Sequence, residues 1–373
     1  MDIYIIAMVL SCLLAMILNR AHSKGGILTE QAIHYMPTFT HAFFAMVPLA
    51  FVALFRWDVG TDSLYGSSYY TAYIAAKESL NDREFEWGFF ALSSLMSRLN
   101  IPYFWYLFIL TAFYMVAISY GIQKISVSPV LSILVFVLTK SYFDSFSALR
   151  QAMSQAVCII AVAQWMSGKE PESTRKQDRT FIITILLASL LHVSALMYIP
   201  MFLFSRRSVG LRNLIIITGF CLLGTPVLQI VFRFVGSLVK EGLYQPYGFG
   251  AISYILLSLL VFVLCLWKYY DILALNPRAC LLINHAMVTF IMMLNSSALI
   301  QPYRIFDALK IFFILTVPYV VKSFKSRTLG FFIALGILGV VGYFYYNSMY
   351  LSESIFLEYH SVFEDWSYYT MLP

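Results

Sequence analysis

Charge is what this sequence has least of. Asp, Glu, Lys and Arg make up only 12% of its 373 residues, about half the ~25% of an average soluble domain. With 60% of positions hydrophobic, too few polar groups remain to cover a globule in water. Cysteine is scarce as well. Cys12, Cys158, Cys221, Cys265 and Cys280 are odd in number, lie in apolar runs and show no CxxC spacing. They read as small core hydrophobes rather than bridges or metal ligands. No internal repeat, low-complexity tract or linker divides the chain. These absences exclude a disordered chain, a soluble enzyme, a collagen-like fibre and a disulfide scaffold.

What is present is apolar and aromatic, with 32 Phe and 26 Tyr. The fold class expected is an all-α integral membrane protein. Crossing ~30 Å of hydrocarbon at about 1.5 Å per residue takes about 20 apolar residues. Runs of that order at 3–19, 38–55, 102–122, 129–147, 150–167, 213–235, 251–270, 279–299, 305–321 and 328–347 predict about ten transmembrane helices. The first run has no basic n-region or small-residue cleavage site, so it reads as a span rather than a signal peptide. Residues 84–98 are too short to span and read as an outer-surface helix.

The run at 180–204 is long enough for one span but has basic clusters on both sides. Lys and Arg accumulate in cytoplasmic loops. If 180–204 is a re-entrant helix pair, 15 of the 25 basic residues fall inside with 5 of the 19 acids. If it crosses once, every later loop flips and the bias collapses. The expectation is therefore one polytopic domain, 1–347, with both ends outside and an acidic, aromatic extracytoplasmic tail, 348–373. The formal charge of +6 then reports topology, and nucleic acid is not an expected partner.

Four of the five outward places in this topology carry unusual residues. After the second span come Arg56, Asp58, Gly60, Thr61 and Asp62. An arginine with two carboxylates can bind a phosphate and take a proton, or simply form an interfacial ion pair. Tyr65, Tyr69, Tyr70 and Tyr73 follow, suited to stacking on sugars or to an interfacial aromatic belt. Arg150 and Gln151 open an otherwise apolar helix. Its free N–H groups and dipole favour anions there, and a guanidinium grips phosphate oxygens in pairs. The bland reading of Arg150 is snorkelling to headgroups.

His192 stands alone in ASLLHVSAL, at the tip of the re-entrant pair. It suits acid–base work, or is a hydrogen-bonded core histidine. Gln301, Pro302, Tyr303, Arg304 and Asp307 form an outer turn in which Arg304 is a second phosphate-binding arginine or the partner of Asp307. Asp82, Glu84 and Glu86 alternate without a strict DxD, which favours a solvated acidic face over a metal site.

The ordered set Arg56, Gly60–Thr61–Asp62, Tyr65, then Arg150–Gln151, a basic loop, Ala188, His192, Ser194–Ala195–Leu196, and Arg304 before Pro318 resembles the EpsG family of Wzy-type bacterial polysaccharide polymerases. Ser63 and Ser154 depart from the family's usual residues but leave the charged positions intact. The resemblance implies a GT-C-like, inverting, metal-independent glycosyltransferase in the bacterial cytoplasmic membrane, with its active site on the extracytoplasmic side. Its substrate would be an undecaprenyl-diphosphate-linked oligosaccharide, and its partners membrane lipids and a chain-length regulator protein; no cofactor is implied. By that resemblance Asp62 or His192 is the catalytic base. Arg150 and Arg304 would hold the diphosphate, with Arg56 a third candidate, and Gln151, Tyr65, Tyr69, Tyr70 and Tyr303 would bind substrate. An O-antigen ligase, which usually carries a larger outer domain, and a glycan transporter, which often carries inverted repeats, are the alternatives.

Overall fold

The computed structural model describes residues 2–24, 39–57, 59–60, 68–78, 86–168, 173–205, 210–227, 229–230, 252–296, 302–347, 349, 359–361 and 363. Nearly all of them are helical. In order come α1 (Asp2–Lys24), α2 (Phe39–Leu54), α3 (Ser68–Glu78), α4 (Trp87–Arg98), α5 (Tyr103–Ile125), α6 (Pro129–Leu138), α7 (Ser141–Ser147) and α8 (Leu149–Met166). Then follow α9 (Arg175–Ser189), α10 (Tyr198–Ser205), α11 (Leu211–Leu223), α12 (Ile252–Trp267), α13 (Tyr269–Leu275), α14 (Cys280–Leu294), α15 (Pro302–Lys310), α16 (Phe313–Lys322) and α17 (Arg327–Tyr346).

Among the described residues three helices are long and apolar enough to cross a bilayer, within Tyr103–Ile125, Pro277–Leu294 and Arg327–Tyr346, and there are five if each of two bent pairs counts as one span. The outer surface has the character of a membrane protein. Only 22% of the apolar window of α17 is buried, and Phe331, Phe332 and Leu335 face outward. Val9, Leu13 and Ile17 of α1, and Phe44 and Phe51 of α2, do the same. A soluble fold does not display so continuous an apolar surface.

Breaks in the helices have local causes. Pro129 fits the first position of α6, where no N–H is needed. Lys140 adopts a left-handed conformation, φ 68°, and ends that helix, so α7 leaves at 50°. The expected span at 129–147 is thus kinked, and α7 runs almost directly into the start of α8. Helix α8 lies at the centre, packed on α5 and α9.

The stretch at 180–204 doubles back. Thr174 and Gln177 form a capping box that starts α9. The helix ends at Ser189, and a short 3-10 turn at Val193–Met197 leads into α10. Phe181 near the start of α9 stacks on Phe202 near the end of α10 at 4.7 Å, and both touch Trp165 at the end of α8. The two legs are therefore antiparallel, with the tip at 190–192 near the start of α8. Fifteen residues of α9 reach only about 22 Å at ~1.5 Å per residue, short of a bilayer's core. Buried Arg278 closes the base, donating to the Trp165 carbonyl at 2.6 Å and to Gln177 Oε1 at 3.2 Å. Cysteines placed at Ser173 and Gly210 should accordingly share one side of the membrane. An impermeant maleimide should label both in intact cells or neither; labelling of one alone would break the hairpin.

Part of the tail packs on the helices. His360–Ser361 pairs antiparallel with Arg56–Trp57, Tyr359 donates to the Val52 carbonyl at 3.0 Å, and Phe363 stacks on Phe55 at 5.1 Å.

Candidate active site

The N-terminal turn of α8, the hairpin tip and the start of α4 converge. Arg150 Nη1 donates to Glu86 Oε2 at 2.6 Å, and its Nε reaches the Tyr69 hydroxyl at 3.3 Å. The other Glu86 oxygen accepts from the Val193 N–H at 3.4 Å and stands 4.0 Å from His192 Nε2. All three charged or titratable side chains stay partly open to solvent: Arg150 by 21%, Glu86 by 23% and His192 by 18%. A fully buried pair would be a structural bond; a partly open one can exchange partners.

Gly88 is the reason α4 can approach. Its N–H donates to the Leu190 carbonyl at 2.8 Å, and a Cβ there would lie 2.8 Å from that same oxygen. Only glycine lets the start of α4 sit flat on the tip and deliver Glu86. Gly60 serves a similar end on the other side. It has φ 101°, and a Cβ would meet the Phe146 carbonyl at 2.4 Å.

Protonation follows from this packing. Burial would raise the Glu86 carboxyl, but Arg150, a backbone hydrogen bond and His192 outweigh it and hold it below the ordinary range. Burial pushes the His192 imidazole down to about 4; Glu86 works against this, while Arg150 and Arg304 add to it. The hairpin tip therefore carries a neutral ring near pH 7. Its Nδ1 accepts the Ser194 N–H at 3.2 Å, which assigns the proton to Nε2, on the side of Glu86.

The predicted residues divide into three groups. Arg150, His192 and Tyr69 come together. Gln151 and Arg304 are adjacent to them but through the backbone: Gln151 Nε2 donates to the Arg304 carbonyl at 3.2 Å, and Gln155 to that of Asp307 at 2.8 Å. These two glutamines moor α15 to α8, while the Arg304 side chain is exposed. Asp307 pairs with Lys310 at 2.5 Å.

Arg56 lies apart. It is 5% exposed, donates to Thr111 Oγ1 at 2.9 Å and to the Ala53 carbonyl, and lies over the Phe146 ring. The expected surface clamp is turned inward. Tyr70 packs edge-on against Tyr103, and Tyr73 stacks on Tyr106. Asp58, Asp62, Tyr65, Asp82 and Glu84 lie outside the described residues, as does the side chain of Tyr303 in the first turn of α15.

A family model describing the EpsG family matches residues 39–361, most of the chain. The chain belongs to the EpsG family. Its members are Wzy-type polysaccharide polymerase-like proteins. No curated protein and no solved structure matches the chain. Membership makes this a membrane protein with a polysaccharide-polymerase-like, glycosyltransferase-like activity. The cluster of Glu86, Arg150 and His192 lies wholly inside the matched stretch.

Glu86 was not among the residues to which sequence reasoning gave a catalytic or binding role, because its partner Arg150 is 64 positions away. Alternation with Asp82 and Glu84 drew it into a metal or solvated-face reading instead. The geometry around Gly88 also makes a prediction. Gly88→Ala drives a methyl group into the Leu190 carbonyl, and overpacking of this kind costs about 1–3 kcal/mol. The purified EpsG-family protein should melt several degrees lower, and an unchanged melting temperature would show that α4 does not rest on the tip.

Proposed function

We propose that this protein polymerises a lipid-linked glycan at the outer face of the bacterial cytoplasmic membrane. The growing glycan moves from undecaprenyl diphosphate to a sugar hydroxyl of a new lipid-linked repeat unit. The bond from the anomeric carbon to the diphosphate oxygen breaks, and a bond from the acceptor oxygen to that carbon forms with inversion. The acceptor proton goes to a carboxylate, and undecaprenyl diphosphate leaves. The distribution of Lys and Arg along the chain supports the outward placement.

The observation that carries this reading is the half-open Arg150–Glu86 pair at a helix N-terminus. Arg150 already holds an oxyanion where a diphosphate would sit. When the donor arrives, its diphosphate displaces Glu86 from the guanidinium. The freed carboxylate loses the cation that weakened it as a base, so it becomes able to take the acceptor proton as the donor binds. The neutral His192 Nε2–H orients it. Arg304, exposed at the edge of the cluster, is the second cation for the leaving group. Asp62 is the other candidate base, compared through Asp62→Asn in the same assay.

The test is direct. Purified protein given an undecaprenyl-diphosphate-linked repeat unit should build a ladder of polymer on a gel. Because arginines neutralise the leaving diphosphate, the ladder should survive EDTA. Loss on chelation with rescue by Mg²⁺ or Mn²⁺ would replace the arginine mechanism with a metal one. Substrate that stays monomeric under all conditions would remove the polymerase reading itself.

A further inference from the structure

Behind α15, on the side away from Arg150, lies a second polar cluster that the proposed chemistry does not use. Lys310 is almost fully buried, and its Nζ lies 2.5 Å from both Asp144 Oδ2 of α7 and Asp307 Oδ1. Sequence spacing did not point to it, since Asp144 is more than 160 positions from its partner. A cleft of about 130 Å³ opens beside the cluster, bounded by Lys140, Asp307 and Lys310 on one hand and by Tyr254, Phe306 and Phe344 on the other. One water needs only ~10–15 Å³, so the space suits a larger guest. The aromatic wall is built: Tyr254 stacks on Phe306 at 4.6 Å and leans on Phe344 at 5.7 Å.

The lining selects the guest by chemistry. Lys140, Lys310 and Asp307 line it, and Asp144 holds Lys310 from outside the lining, so the four charges balance and give a phosphate no net attraction. Charged groups on one wall make it a poor groove for a polyprenyl chain, since an apolar guest would leave them unsolvated and unbonded. A pyranose fits both walls. Its C–H face covers an aromatic ring while its hydroxyls meet carboxylate and ammonium groups, which make the stronger hydrogen bonds.

Position agrees with this. Helix α15 presents its Arg304 and Asp307 carbonyls to α8 and its Asp307 and Lys310 side chains to the cleft. The two sites are thus separated by about one helix width, ~10 Å, within reach of a short oligosaccharide. We propose that this cleft is a glycan subsite holding a pyranose residue of the lipid-linked chain, away from the reacting bond. It rests on the polymerase reading for its place in the reaction, but not for its capacity to bind sugar.

The test uses oligosaccharides released by mild acid from the producing cell's own surface polysaccharide, which carry neither lipid nor diphosphate. Saturation-transfer NMR with the full-length protein in detergent should show binding. Tyr254→Ala and Asp307→Asn should each weaken it by at least about tenfold, a difference of ~1.4 kcal/mol. Because Asp307→Asn also loosens an ion cluster, Leu257→Trp provides a second arm. Leu257 borders the same cleft, and the larger ring takes up its space while the three charged residues of the cluster stay unchanged. Wild-type protein that fails to bind, or a Leu257→Trp protein that binds as the wild type does, overturns the subsite.

Turnover separates the two readings. Asp307→Asn should raise the KM for the lipid-linked repeat by about tenfold while kcat stays within a factor of about three. A fall in kcat at unchanged KM overturns the subsite. Sugar binding that Tyr254→Ala abolishes, in a wild-type protein that builds no ladder, keeps the cleft and removes the polymerase. A ladder from wild-type protein whose sugar binding ignores all three substitutions does the reverse.

Discussion

Glu86→Gln should leave a normally folded protein that binds its lipid-linked donor and polymerises it about a hundred- to ten-thousandfold more slowly, the usual range for loss of a general base. The amide keeps the size of the side chain and one acceptor oxygen for the Val193 N–H, so α4 stays on the hairpin tip. What disappears is the negative charge that takes the proton. The competing role predicts the opposite sign. Were Glu86 only a resting counter-ion for Arg150, removing its charge would free the guanidinium for the diphosphate, and the KM for donor would fall at unchanged kcat. Steady-state kinetics on the ladder assay therefore separates base from counter-ion in one variant. Adding Asp62→Asn tells whether the burden is shared: a base acting alone gives one large loss and one small one.

Arg150→Lys should cut turnover by about ten- to a hundredfold with little effect on folding. Charge-assisted hydrogen bonds to a phosphate contribute roughly 1.5–3 kcal/mol, and lysine keeps the charge but not the planar fork. The structure adds a reason. Arg150 uses Nη1 for Glu86 and Nε for the Tyr69 hydroxyl at once, so the tyrosine fixes the plane in which the remaining donors point. An ammonium cannot be oriented in this way. Wild-type polymer length from a normally expressed Arg150→Lys protein would remove Arg150 from the site and leave Arg304 as the clamp.

Local features were readable in the sequence because they depend on neighbours in the chain. The apolar runs at 102–122 and 328–347 appear as α5 and α17, since length and hydropathy belong to consecutive residues. Polar groups at both ends of 84–98 marked a short helix, and α4 covers Trp87–Arg98. Arg150 at the start of an apolar helix followed from two adjacent letters, and the placing of His192 between two short legs followed from the basic residues on both sides of 180–204. At 129–147 the run alone implied one straight span, yet a single left-handed residue at Lys140 bends it. Hydropathy carries no information about φ.

The sequence by itself determined the class of protein, long apolar helices such as α5 and α17, and the family, each carried by composition or by residues in linear order. Only the tertiary structure decided who meets whom. Glu86 joined Arg150 and His192, while Arg56 turned onto Phe146 and Thr111. Asp307 took Lys310 together with Asp144. The reason is physical. At a membrane boundary a charged side chain must find a partner or reach water, and the partner within reach is set by how helices pack. That packing in turn rests on close approaches such as Gly88 against Leu190, which bring residues about a hundred positions apart within one hydrogen bond.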